Sequence, residues 1–283
     1  MNKLLFLFFS VFFIALSGQN IRFFYDYKFV ADSTKIDSTF TELMHLDVSD
    51  IGSKFYSRDV YITDSIVQDR IKNRPTVNRV MINNSNFKGR VRNIVEKYYP
   101  NFNINYFTNI GLERYRVDEN IDLKWEILPD IMKIGQFTAQ KAQTEVFGRK
   151  WIAWFSKDYP IQDGPYKFHG LPGLIIKIED ITHSHIFELK GVKKLNNKEK
   201  WSSENERKNA KKNIIVNEKK FKKAFIEDRN DPMKTWNNSA GGMVSYTVTN
   251  ASGKPVDMRD VVKNREMMIK KDNNILELDL IKK

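Results

Sequence analysis

The chain has no cysteine, so no disulfide or thiolate metal site supports it, and its stability must come from its core. Beyond residue 16 it has no long apolar run, and a membrane-spanning helix needs about 20 such residues. Histidine is sparse, at four. No nucleophile–base pair and no metal-ligand spacing stands out, so no metal or cofactor is expected. Proline and glycine are also few, 8 and 13 in 283 residues. Yet three of each fall within Pro160–Gly173. Proline fixes φ and glycine alone reaches positive φ cheaply, so that loop has a nearly dictated path.

The start of the chain reads as an export signal. Lys3 supplies a basic n-region, Leu4–Leu16 an apolar run broken by Ser10, and Ala15-Leu-Ser17 the small residues of a cleavage site. Residues 1–18 are therefore expected to be a signal peptide. No Cys follows for a lipid anchor. The mature protein is expected in the periplasm or at the outer-membrane periphery, without a transmembrane span. Residues 19–283 suffice for a single domain.

Acidic residues are outnumbered, 35 against 47 Lys and Arg. The excess concentrates in Gly191–Arg229, which holds 13 basic and 6 acidic residues. Export argues against nucleic acid as partner. The segment reads either as a solvated helical face or as a contact for an anionic membrane surface through Lys219, Lys220, Lys222 and Lys223.

Aromatic residues make up 13% of the chain and alternate with polar ones, the period of half-buried strands. Strands are expected at Ile21–Phe29, Thr39–Val48, Ser53–Ser57, Phe102–Thr108, Leu112–Asp118, Leu123–Leu128, Phe137–Val146, Lys150–Ser156, Leu174–Glu179, His185–Lys190, Met243–Thr249 and Ile275–Leu280. Helices are expected after a cap at Thr63 or Asp64 and ending before Pro75, at Ser85–Tyr99, and at Asn217–Arg229. The fold class is thus mainly β (α+β): an antiparallel meander, curved or half-barrel, with two or three helices on one face. The basic segment is a helical outgrowth at about 191–229.

Gly170-Leu-Pro-Gly-Leu-Ile175 spells the motif of the GLPGLI family of exported Bacteroidetes proteins, which this chain resembles. The likeness extends to Ile134-Gly-X-Phe-Thr-Ala-Gln-Lys-Ala, Trp151-Ile-Ala-Trp-Phe, Pro160-Ile-Gln-Asp-Gly-Pro, Ile178-Glu-Asp, Glu42-Leu-Met and Asn273-Asn-Ile-Leu-Glu-Leu. Thr138 departs from the family's usual Cys, and Ile275 from its terminal Asn-Pro. The resemblance implies a β-rich exported protein, often encoded near outer-membrane transport systems. It implies no reaction.

The motif residues Trp151, Trp154, Pro160, Asp163, Gly164, Pro165, His169, Gly170, Leu171, Pro172, Gly173, Leu174 and Ile175 are candidates for a structural or binding loop. Pro172-Gly173 suits the centre of a type II turn. Asp163 suits a turn that it caps itself, and His169 is the best polar candidate. Trp151, Ala153 and Phe155 share one strand face, while Ile152 and Trp154 share the other, which is either covered by a helix or open to a hydrophobic ligand. His183 and His185 share a strand face but lack further metal ligands. Three functions remain open: an envelope binding protein for a hydrophobic ligand or an outer-membrane partner, a structural accessory of a transport system, and an envelope hydrolase using Asp158, Asp163, His169 and Glu179. Amino-terminal sequencing of the exported protein should begin within residues 18–20, and a mature chain retaining Met1 would contradict the signal assignment.

Overall fold

The computed structural model describes residues 20–73, 88–111, 113–196, 199, 201–206, 212–232 and 256–282. The export signal and the strand expected at Met243–Thr249 lie outside them.

Alternation of large apolar and polar side chains builds twelve strands into one open, mixed sheet. They are β1 (Ile21–Val30), β2 (Thr39–Val48), β3 (Gly52–Ser57), β4 (Ile94–Tyr98), β5 (Asn103–Ile110), β6 (Glu113–Glu119), β7 (Glu126–Ile134), β8 (Phe137–Val146), β9 (Arg149–Ser156), β10 (Leu174–Asp180), β11 (His185–Lys194) and β12 (Ile214–Asn217). The order is β12-β6-β5-β4-β3-β2-β1-β11-β10-β9-β8-β7. Two meanders, β1–β6 and β7–β11, thus meet where β1 pairs with β11. All pairings are antiparallel except β12 on β6. The mainly β class holds.

One connection dictates the curvature. Strands β6 and β7 stand ten places apart in the order, about 48 Å in a flat sheet at about 4.8 Å per strand. Only Asn120–Trp125 joins them, and so short a segment spans at most about 25 Å. The sheet must therefore curl until its two ends approach each other.

The concave face carries Phe23, Tyr25, Met44, Leu46, Phe55, Val95, Tyr106, Val117, Trp151, Ala153, Phe155, Ile178 and Phe187, all within one buried cluster. Each fully buried aromatic side chain contributes roughly 1.5–3 kcal/mol. The helices divide between the faces. Helix α1 (Arg58–Asn73) touches β2 and β3; its Tyr61 ring lies 5.3 Å from Tyr56, on the convex side. Helix α2 (Glu218–Asn230) places Phe221 against Tyr106, 5.8 Å between rings, on the concave side. Helix α3 (Met258–Lys271) joins α2 through Arg265–Asp228.

Several expectations are corrected. Part of the helix expected at Ser85–Tyr99 lies outside the described residues; the rest is a loop followed by β4. Val91, Ile94, Val95 and Tyr98 fit a helical stripe, but β-branched residues resist helix and pair well in strands. Helix α1 begins earlier than Thr63, with Ser57 Oγ accepting from Val60 N at 3.2 Å. Ile275–Leu280 is not a strand but an irregular strap, bent at Leu276 and Glu277, that ends in a 3₁₀ turn at Leu278–Leu280. Strand β12 and helix α3 were not anticipated. Asn217 does cap α2, accepting from Lys220 N at 3.0 Å.

Pro172-Gly173 forms a tighter turn than expected: Gly173 N donates to Leu171 O at 2.8 Å, a three-residue closure about Pro172. Glycine is required there by crowding, since a Cβ at Gly173 would lie 2.3 Å from Ser156 O. At Gly135 φ is 57° but no atom lies within 4 Å of the same position. Gly135→Ala should therefore cost only about 1–2 kcal/mol of backbone strain. Gly173→Ala must displace β9 and should cost clearly more, about 3 kcal/mol. Chemical denaturation of both variants checks this; equal losses would contradict the crowding.

Candidate functional site

The motif segment Tyr159–Gly173 leaves β9, crosses the concave side and returns into β10. Four contacts fix its course. Leu174 N donates to Tyr159 O at 3.0 Å, Ile175 N to Asp163 O at 3.0 Å, and Gly170 N to Gln162 O at 2.9 Å. Tyr25 OH donates to Ile175 O at 2.7 Å from the sheet floor. Tyr159 meets Phe23 edge-on at 5.2 Å, and Phe168 meets Trp151 at 4.8 Å. Leu171, Leu174, Ile175 and Phe168 are buried, while Pro160, Gly170 and Pro172 stay exposed. The loop is thus the filling of the half-barrel.

Two lysines are buried with it. Lys97, from β4, forms an ion pair with Asp163, both side chains 0% exposed. Its ammonium also donates to Gly164 O at 2.6 Å and Phe168 O at 3.2 Å. Asp163 accepts in addition from Gly164 N at 2.6 Å and Tyr99 OH at 2.5 Å. Burial pulls Lys97 below its usual range, opposed by the attraction of Asp163. Burial pushes Tyr99 well above the usual phenol value.

Lys167, inside the loop, sits 2.6 Å from Glu119 Oε2 on β6 and 2.5 Å from Glu277 Oε1 on the C-terminal strap. It lies 4.1 Å from the Tyr106 ring centre. Tyr166 OH donates to Glu277 Oε1 at 2.6 Å. One cation thus serves two buried carboxylates. Burial holds Glu119 up at about 7; Lys167 opposes the shift and Glu277 adds to it.

A third cluster ties down the strap. Arg149 reaches Asp180 Oδ2 at 3.0 Å, Asn274 Oδ1 at 2.7 Å, Ile275 O at 2.7 Å and Leu276 O at 3.1 Å. His185 Nε2 lies 2.9 Å from Asn274 O, so that nitrogen carries the proton, and Nδ1 accepts from Tyr27 OH at 2.7 Å. Burial, with Arg149 adding to it, holds His185 down at about 4, so the ring stays neutral.

The loop's own histidine, His169, is also buried. It stacks on Phe102 at 4.6 Å, and its Nδ1 donates to Lys167 O at 2.9 Å. Trp125, from the β6–β7 link, donates to His169 O at 2.8 Å. Asp163 and His169 are therefore brought together, as strand-like partners. The other proposed hydrolase residues do not join them. Asp158 is on an exposed turn. Glu179 faces the convex side, where it binds Lys177 Nζ at 2.9 Å. His183 is not on a strand with His185 but in the turn before β11, at φ 55°. No cluster of metal-type ligands occurs among the described residues.

The convex face beyond β9 carries Ile152 and Trp154, both half-buried, with Lys141 Nζ 5.8 Å from the Trp154 ring. Among the described residues the helix on this side, α1, covers β2 and β3. A cleft of about 290 Å³ lies beside α1, lined by Lys54, Tyr56, Tyr61, Asn93, Ser203 and neighbours. Its charged groups are already engaged: Lys54 Nζ donates to Glu204 Oε1 at 2.7 Å. Of the basic candidates, Lys219, Lys220 and Lys223 are exposed, whereas Lys222 donates to Asp279 O at 2.6 Å.

Sequence reasoning missed Lys97, Lys167, Glu119, Arg149 and Glu277. Their signal was a charge set inside apolar alternation, as in Ile94-Val-Glu-Lys-Tyr and Tyr166-Lys-Phe.

Residues 143–177, which hold this loop, match the model of a family described as a protein of unknown function (Porph_ging). No curated protein matches the chain. Two solved structures of PNGF-II, in different crystal forms, align with it at TM-score 0.49 and 15% and 16% identity. The alignment covers 75% of this chain and 34% and 33% of those chains. This chain thus spans about a third of the length of PNGF-II.

The lone cation between two carboxylates makes stability depend on pH. Glu119 is held near 7 against 4.5 when free, so folding takes up a proton between those values. Its stabilising contribution is complete below about pH 4.5 and is lost as pH rises through about 7, a swing of about 3 kcal/mol. His185 works the other way, losing stability as pH falls below about 6.5. Glu119→Gln should therefore flatten the decline between about pH 5 and about pH 8 relative to wild type. Parallel denaturant titrations test this, and superimposable pH profiles would contradict the assignment.

Proposed function

We propose that the chain is an exported envelope protein of the GLPGLI type that acts through its surface as an accessory of an outer-membrane partner, without catalysis. One observation carries this reading. The concavity where a carrier would hold a hydrophobic ligand is occupied by the chain's own motif loop, with Lys97 and Asp163 fully buried beneath it. Ligand sites are concave and open to their ligand, and this concavity is filled. The titratable groups of the loop neutralise one another in place, which supports a structural role for them over acid–base work. Trp154 and Ile152, half-buried on the convex face and clear of the helices among the described residues, are surface on which a partner can rest.

Native mass spectrometry of the protein isolated from its own envelope tests the proposal. The expected result is the bare chain, or the chain with a protein partner. A stoichiometric lipid or other small molecule retained by the wild type would overturn it.

A further inference from the structure

The least anchored helix is also the most basic feature that sequence reading overlooked. No α3 residue belongs to the buried cluster or packs against it, among the described residues. Among the described residues, polar contacts tie it to the body: Arg229 Nη2 donates to Ile269 O at 2.9 Å and Asp272 O at 2.8 Å, and Arg265 pairs with Asp228 at 2.8 Å. At 3.6 residues per turn, Val261, Val262, Arg265 and Ile269 line its inner side, and all four are half-buried. Met267 is central on the outer side, between Lys263, Lys270 and Lys271, all exposed. Met267 and Met268 are 44% and 72% exposed. Neighbouring α2 adds exposed Lys219, Lys220 and Lys223 and a 37% exposed Ile226. The two helices together hold ten Lys/Arg against five Asp/Glu.

We infer that α3, with α2 as a second row of cations, is a peripheral anchor for an acidic lipid bilayer. Cations flanking exposed apolar side chains on a lightly docked helix match what an anionic headgroup layer offers: negative charge above, acyl chains just beneath. A soluble acidic partner would satisfy the lysines but leave the methionines in water. No described helix is long and apolar enough to cross a membrane, so the contact is with the surface. The inference names the membrane on which the accessory role proposed above would be played.

The test uses the full mature chain and vesicles of neutral phosphatidylcholine, with or without about 30% phosphatidylglycerol. Co-sedimentation should occur with the acidic vesicles at about 50 mM salt and be lost at about 500 mM, where charges are screened within a few Å. Lys263→Glu, Lys270→Glu and Lys271→Glu combined should weaken binding by more than about 100-fold, since the loss of three lysines at about 1 kcal/mol each already gives that and the new carboxylates add repulsion. Met267→Ser with Met268→Ser should weaken it several-fold while leaving its salt dependence unchanged. Circular dichroism confirms that each variant is folded. Wild-type protein that ignores acidic vesicles at low salt overturns the inference, as does binding that survives the charge reversal. So does soluble polyphosphate binding as tight as vesicle binding, with no effect of the methionines. None of these outcomes depends on whether native mass spectrometry finds a small ligand, so the two readings fail separately.

Discussion

Lys97 points into the concavity of the sheet, where it is wholly out of water. Leaving that charge unpaired would cost about 3–5 kcal/mol, a large share of the stability of any domain. Asp163 is the carboxylate placed to meet it, and Asp163 lies in the middle of the Pro- and Gly-rich loop. The pair therefore dictates where the loop goes. With Asp163 on Lys97, Gly164 O and Phe168 O fall within reach of the same ammonium. Phe168 then lands on Trp151, and Leu171 and Ile175 complete the floor. A buried ion pair seldom adds net stability over an apolar pair of the same size. What this one supplies is a single allowed position for the loop.

The rest of the interior follows from that position. Lys167, carried in by the loop, needs counter-charge and finds it on β6, at Glu119, and on the strap, at Glu277. Glu277 ties the strap to Lys167 and Tyr166, and Arg149 and His185 hold it again at Asn274. The short Asn120–Trp125 link forces the sheet to curl, and loop, strap and α2 together fill the space that the curl creates. The aromatic interior is thereby committed to the fold. Outside that interior lie the half-buried Trp154 on the convex face and the basic helices at the β12 end.

Much of this architecture was legible in the sequence where the hydrophobic period was clean. β1, β2, β8 and β9 read as alternating runs and lie where the alternation put them, and Asn217 and Asp231 bracket α2 as caps should. Legibility failed where two periods coincide. Val91–Tyr98 satisfies both a helical stripe and a strand, and only pairing with β3 and β5 decides between them. It failed again at Asn274–Leu280, whose alternation reports contact with the loop and Arg149 instead of a ladder. Strand β12 is too short for a pattern, and α3 is polar on most of its circumference. The motif loop's structural role was visible in its prolines and glycines, and His169 and Asp163 do meet. The buried lysines were hidden because a lone charge in an apolar run shows neither its burial nor its partner, which lies tens of residues away.

Hydrogen exchange measures most directly whether the loop is a fixed filling of the half-barrel. The amides of Gly170, Leu174 and Ile175 donate within the loop or back to its base, so their exchange should require global unfolding. They should be as protected as amides of the central pairing of β1 with β2. Exchange as fast as that of the exposed Lys35–Ser38 turn would mean that the loop opens independently, and would contradict the account.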